Sequence, residues 1–74
     1  MKIPRITGKE VVAALEKAGF RVVRIRGSHF HLYNEKRDAL VTVPVHSGKT
    51  LALKTLRIIL RMADISVEEF TKHL

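Results

Sequence analysis

The segment His29-Phe30-His31-Leu32-Tyr33 decides the fold, because its polarity alternates with period two. Successive side chains of a strand point to opposite faces, so Phe30 and Leu32 share one side and His29, His31 and Tyr33 the other. The polar run Asn34-Glu35-Lys36-Arg37-Asp38 reads as a turn, and Ala39-Leu40-Val41-Thr42-Val43-Pro44-Val45 reads as a third strand paired with the second in a hairpin. Pro44 has no amide hydrogen, which confines it to an edge or to the end of the pairing. Upstream, the β-branched run Phe20-Arg21-Val22-Val23-Arg24-Ile25-Arg26 reads as the first strand, with Gly27-Ser28 as the break before the second. Period two assigns Val23 and Ile25 to the core, and Arg24 and Arg26 to the open face beside His29, His31 and Tyr33.

Helical patterns flank these strands. Thr7 and Glu10 have capping-box spacing, and Val11, Val12, Ala14, Leu15 and Ala18 follow at helical intervals up to Gly19, after which Phe20 can fold back on the last turn. From about Lys54, residues Leu56, Ile59, Leu60 and Ala63 form an apolar stripe apart from Arg57 and Arg61, a second amphipathic helix with Thr55 as candidate cap. Ser66 and Glu69 repeat the capping spacing and start a short last turn through Phe70. The expected architecture is a two-layer α+β domain of order α-β-β-β-α, a three-stranded antiparallel sheet with helices on one face and a short C-terminal helix. One domain spans residues 1–74, without repeats, linkers or low-complexity segments.

At 74 residues the chain buries only about 60% of its unfolded surface, which argues against a deep cavity or a second domain. The lack of cysteine excludes a disulfide framework, a thiolate metal site and a cysteine nucleophile, and fits a reducing, cytoplasmic setting. No apolar run approaches the roughly 18 residues of a membrane span, and Met1-Lys2-Ile3-Pro4-Arg5 leads into no apolar signal stretch. A soluble protein with no membrane partner is expected. The net charge of +7 comes from 14 Lys+Arg against 7 Asp+Glu. Lys17, Arg21, Arg24 and Arg26 occur with no acid between Lys17 and Asn34, and Lys49, Lys54, Arg57 and Arg61 with none between Ala39 and Ala63. Such basic tracts gain free energy by displacing counterions from phosphates and point to nucleic acid or another polyanion. Excess lysine for solubility is the blander alternative.

A histidine amid cationic groups beside a phosphodiester suits general acid–base work, and neighbouring arginines can hold charge on a pentacoordinate phosphate. Equally, histidines at alternate positions of an open sheet face are often only solvated. A zinc site of His29, His31 and His46 is a third reading, but no carboxylate or thiolate accompanies them at a metal-ligand spacing. Gly48-Lys49-Thr50 has the form of a P-loop's end, yet Val43 stands where the loop's first glycine is required, which excludes nucleoside triphosphate hydrolysis. Ser47, Gly48 and Lys49 then read either as a tight loop touching a phosphate or as an ordinary turn. Arg57 and Arg61 read as a backbone contact or as a solvated helix face. With Tyr33 the one aromatic expected to be exposed, base stacking is not the main mode of recognition.

Three segments in this order resemble the HicA toxins, small mRNA interferases of type II toxin–antitoxin modules. They are Gly27-Ser28-His29-Phe30-His31-Leu32-Tyr33, Val41-Thr42-Val43-Pro44-Val45-His46-Ser47-Gly48, and the stretch from Leu56-Arg57-Ile58-Ile59-Leu60 through Ile65-Ser66-Val67-Glu68-Glu69-Phe70. The opening from Thr7 to Arg26 matches in order as well. The resemblance implies a double-stranded-RNA-binding-like α-β-β-β-α fold, RNA cleavage by a histidine that maps onto His29, and inhibition by a HicB-type antitoxin covering the active face. Gly27 and Ser28 become the turn that presents His29, while His46, Ser47 and Gly48 match a family motif without an assigned role. The chain departs from the family where glycine is common, with Lys54 before the second helix and Asp64 after it. The resulting expectation is a metal-independent, cofactor-free endoribonuclease acting on mRNA. In it His29 is the general acid or base for attack by the 2′-hydroxyl, and Arg24, Arg26, His31, Lys49, Lys54 and Arg57 bind RNA. The rival from another class is a non-catalytic RNA-binding module using the same basic face.

Overall fold

Thr7 starts the first helix as its distance from Glu10 predicts. In the computed structural model, which describes residues 5–74, α1 spans Gly8–Lys17. The reading of the chain's start falls, for residues 1–4, outside the described part. The Glu10 amide donates to Thr7 Oγ1 at 3.2 Å and the Thr7 amide to Glu10 Oε1 at 2.9 Å, so the capping box is complete. At the far end Gly19 takes φ 104°, the Gly19 amide donates to the Glu16 carbonyl at 3.1 Å and the Phe20 amide to the Leu15 carbonyl at 2.9 Å. This left-handed closure turns the chain so that Phe20 is buried against the helix it has just left.

The strands are β1 (Arg21–Arg26), β2 (His29–Asn34) and β3 (Ala39–Pro44), antiparallel and in the order β1-β2-β3. Leu32, Val41 and Val43 are buried on one face, where they meet Val11 and Leu15 of α1, Leu56, Ile59 and Leu60 of α2 (Leu53–Ala63), and Phe70 of α3 (Val67–Lys72). The expected α+β layering, element order and short terminal helix are present. Among the described residues all helices lie on the Leu32 side, and none of these residues covers the opposite face of the sheet.

Several details differ from the sequence-based reading. Val23 and Ile25 are not core residues, being 46% and 54% exposed. The register slips between Val22 and Arg24, so that Val22 pairs with Leu32 and Arg24 with His31, leaving Val23 as the extra residue of a β-bulge. Ile25 does face the helical side, opposite Phe30, but near the end of an edge strand that the helices leave uncovered. Thr55 does not cap α2. The helix starts earlier, with Ala52 as N-cap and no side-chain cap bond. Its start is held by tertiary contacts instead: the Leu51 amide donates to the Ile6 carbonyl at 2.8 Å, and Thr7 and Thr50 form an isolated bridge. Asn34 belongs to the end of β2 and is buried, accepting from the Arg37 amide at 3.1 Å and donating to the Ala18 carbonyl at 3.4 Å. β3 ends at Pro44, although the Val45 amide still reaches the Ser28 carbonyl at 2.7 Å. The last helix runs past Phe70 to Lys72, and Ser66 caps it by accepting from the Glu69 amide at 3.0 Å. The Glu69 carboxylate pairs with Arg37 at 2.6 Å.

Candidate active site

The site begins with a two-residue turn. Gly27 has φ 56°, and a Cβ built on it would meet nothing within 4 Å, so backbone freedom and not space is what glycine supplies there. A positive φ at the first central position suits the tight turn that joins twisted antiparallel strands. The turn closes the Arg26–His29 pair and makes His29 the first residue of the central strand.

Cross-strand partners project to the same side, so the pairings build the open face in three rows. Arg26, His29 and Pro44 form the first, Arg24, His31 and Thr42 the second, and Arg21, Tyr33 and Leu40 the third. Neighbouring strands stand about 4.8 Å apart and alternate residues of a strand about 6–7 Å apart, so the face is a small grid of guanidinium and imidazole groups. Arg21 is the residue that sequence reasoning missed. Strict alternation puts it on the helical side with Val23 and Ile25, whereas the bulge brings Arg21, Arg24 and Arg26 to one face. The signal was present in the string Arg21-Val22-Val23-Arg24, where two adjacent apolar residues interrupt the alternation.

The side chains of this face differ in their commitments. His29 is exposed, and its ring has no hydrogen-bond partner among the described residues. His31 is half-buried, with Nδ1 2.9 Å from Thr42 Oγ1. Tyr33 donates its hydroxyl to Asp38 Oδ1 at 2.8 Å. That hydrogen bond, followed by desolvation and the negative charge of Asp38 and Glu35, raises the phenol pKa above its ordinary value against a smaller opposing effect of Arg21. The tyrosine therefore keeps its proton near neutrality and points it at Asp38. None of the three β1 guanidiniums has a carboxylate partner among the described residues, where the single ion pair is Arg37–Glu69.

Of the residues singled out from sequence, Arg24, Arg26, His29 and His31 come together here, with Gly27 and Ser28 forming the turn between Arg26 and His29. Lys49 is exposed on the His46–Lys49 turn that follows Pro44, the strand partner of His29; its amide donates to the His46 carbonyl at 3.0 Å, and Gly48 takes φ 72°. Lys54 and Arg57 are exposed on α2, whose packing face lies on the other side of the sheet, so they do not join the imidazoles. Among the described residues no group of three or more His, Asp or Glu side chains is placed to hold a metal ion, so His29, His31 and His46 do not form an assembled ligand set.

A family model described as the HicA toxin of bacterial toxin–antitoxin matches residues 8–65. The chain belongs to this family. The matched span of the HicA toxin starts with the first residue of α1, takes in the whole sheet and α2, and ends just after Asp64, leaving α3 outside. Membership implies an antitoxin partner. No curated protein matches the chain. Asp64, which stands where the resemblance leads one to expect glycine, takes the left-handed conformation at φ 56° and ψ 44°, and its carbonyl accepts from the Arg37 guanidinium. Aspartate thus fills the helix-ending role at a conformational cost of about 1–2 kcal/mol that glycine avoids. Among the described residues no helix is long and apolar enough to cross a membrane.

Proposed function

We propose that this HicA toxin is a cytoplasmic mRNA interferase, an endoribonuclease in which His29 transfers a proton while the ribose 2′-hydroxyl attacks the adjacent phosphate. The observation that carries this reading is an imidazole at the tip of a hairpin, opposite Arg26 across the strands and set among guanidiniums that, like it, have no partner among the described residues. An imidazole is the side chain whose unperturbed titration lies near neutrality, so it can take up or release a proton there. Arg26, Arg24 and Arg21, with Lys49 from the adjoining turn, hold the phosphate and the charge that develops on it. Lys54 and Arg57 extend the path of the RNA backbone around the edge of the domain. No step in this scheme uses a metal ion. A HicB-type antitoxin inhibits by covering this open face.

The decisive comparison is wild type against His29→Ala, measuring RNA cleavage and RNA binding on the same samples. Loss of cleavage by about 10²–10⁴-fold with binding retained is the expected result. Binding without cleavage in the wild type favours a non-catalytic RNA-binding module. A 2′-deoxy residue at the cut site is expected to stop the reaction, and a chelator to leave it unchanged.

A further inference from the structure

Cleavage through the ribose hydroxyl needs two proton transfers at opposite ends of one displacement. The 2′-oxygen loses a proton as it bonds to phosphorus, and the departing 5′-oxygen gains one as its bond breaks. In an in-line displacement these oxygens stand on opposite sides of the phosphorus, so a single imidazole held in one place does not reach both. His29 serves one of them, and the open face has to supply the other.

Most of that face is unsuited to the task. Guanidinium groups do not give up protons in proteins, which removes Arg21, Arg24 and Arg26. Tyr33 has its hydroxyl hydrogen directed at Asp38. Leu40 and Pro44 carry no transferable proton, and the aliphatic hydroxyl of Thr42 is too weak an acid to give one up near neutrality. His31 remains, one row from His29 on the same face of the same strand, about 6–7 Å away. That spacing matches two hydrogen-bond reaches of about 3 Å set on either side of a phosphoryl centre. Its Nδ1 lies 2.9 Å from Thr42 Oγ1, which fixes the ring. When the ring is charged, Nδ1–H donates to the threonine hydroxyl and Nε2–H stays free for a substrate.

We infer that His31, oriented by Thr42, is the general acid of the reaction and His29 its general base, an assignment that rests on the RNA-cleaving reading above. The 2′-hydroxyl proton passes to His29 and the 2′-oxygen bonds to phosphorus. The bond from phosphorus to the 5′-oxygen breaks, and the proton on His31 Nε2 goes to that oxygen. The products are a 2′,3′-cyclic phosphate and a free 5′-hydroxyl, and proton exchange with water resets both rings. Arg24 and Arg26 flank the two imidazoles across the strands, where the phosphate between them has to sit.

The test uses a short RNA that the wild type cuts at one mapped linkage, and the same RNA with sulfur replacing the bridging 5′-oxygen there. A thiolate leaves without protonation, so the second substrate needs no general acid. His31→Ala is expected to lower kcat/KM by about 10²-fold or more on ordinary RNA and to return to within about tenfold of wild type on the sulfur-bridged RNA. His29→Ala stays low on both. Thr42→Val falls between wild type and His31→Ala, and Thr42→Ser restores activity. His31→Gln, which keeps a polar group in the strand, shows the same rescue. Equal losses on both linkages, or no loss on ordinary RNA, overturn the assignment of His31 and leave the role of His29 standing. A His29→Ala chain as active as wild type defeats the underlying reading.

Discussion

Substituting alanine for Gly8 tests how tightly the His29 end of the sheet is braced by the first helix. A Cβ on Gly8 would land on the Pro44 carbonyl oxygen and lie 3.0 Å from both the Pro44 carbonyl carbon and Val45 Cα. Both sides of this contact are pinned. The end of β3 is tied to the turn by the 2.7 Å bond from the Val45 amide to Ser28, and the start of α1 by the Thr7–Thr50 bridge and the 2.8 Å bond from Leu51 to Ile6. Forcing a methyl group into such a contact costs about 1–3 kcal/mol, while alanine in a helix ordinarily gains up to about 1 kcal/mol over glycine. The expected balance is a loss of about 1–2 kcal/mol, a fall in Tm of about 4–16 °C for a domain of this size. Thermal and urea unfolding measure it, with the exposed neighbour Lys9→Ala as a control expected to stay within about 0.5 kcal/mol of wild type. Because Pro44 is the strand partner of His29, RNA cleavage by folded Gly8→Ala is expected to fall as well. A Gly8→Ala chain as stable as wild type, or more so, refutes the argument, since helix propensity would then outweigh the packing of α1 on β3.

Four further outcomes follow from the same structure. The Thr7 amide hydrogen bond, reinforced by the Thr7 hydroxyl, holds the Glu10 pKa below 4.5. The stability this contributes is present above 4.5 and lost as the pH falls through the lower folded-state value, so Glu10→Gln is expected to flatten that acid-side decline in unfolding experiments. A double-mutant cycle on Arg37 and Glu69, partners at 2.6 Å and only partly shielded from water, should give a coupling of about 0.2–1 kcal/mol. Hydrogen exchange in α3 should accelerate more in Arg37→Ala than in Glu69→Ala, because Arg37 also holds the Asp64 carbonyl. Finally, Arg21→Ala should reduce the slope of log affinity for single-stranded RNA against log salt by about 0.7 if Arg21 contacts one phosphate, and an unchanged slope would remove it from the site.

Much of this was legible in the chain itself. The capping box at Thr7, the glycine closure before Phe20 and the His29–Tyr33 alternation each depend on residues within a few positions of one another, so local sequence determined α1, β2 and the side of the sheet on which His29 emerges. The same holds for the clustering of basic residues, since charge is a property of composition before it is one of shape. What the tertiary structure decided concerns contacts between distant segments. The bulge at Val23 follows from pairing β1 with β2, and it carries Arg21 to the imidazole face, while Ile25 is left uncovered because β1 is an edge strand. The start of α2 is set by Leu51 meeting Ile6 where no side chain caps the helix, and the orientation of His31 by a threonine eleven residues away on the next strand. Period-two patterning predicts a face only while the register is unbroken, and register is a joint property of two strands that neither one's residues specify alone.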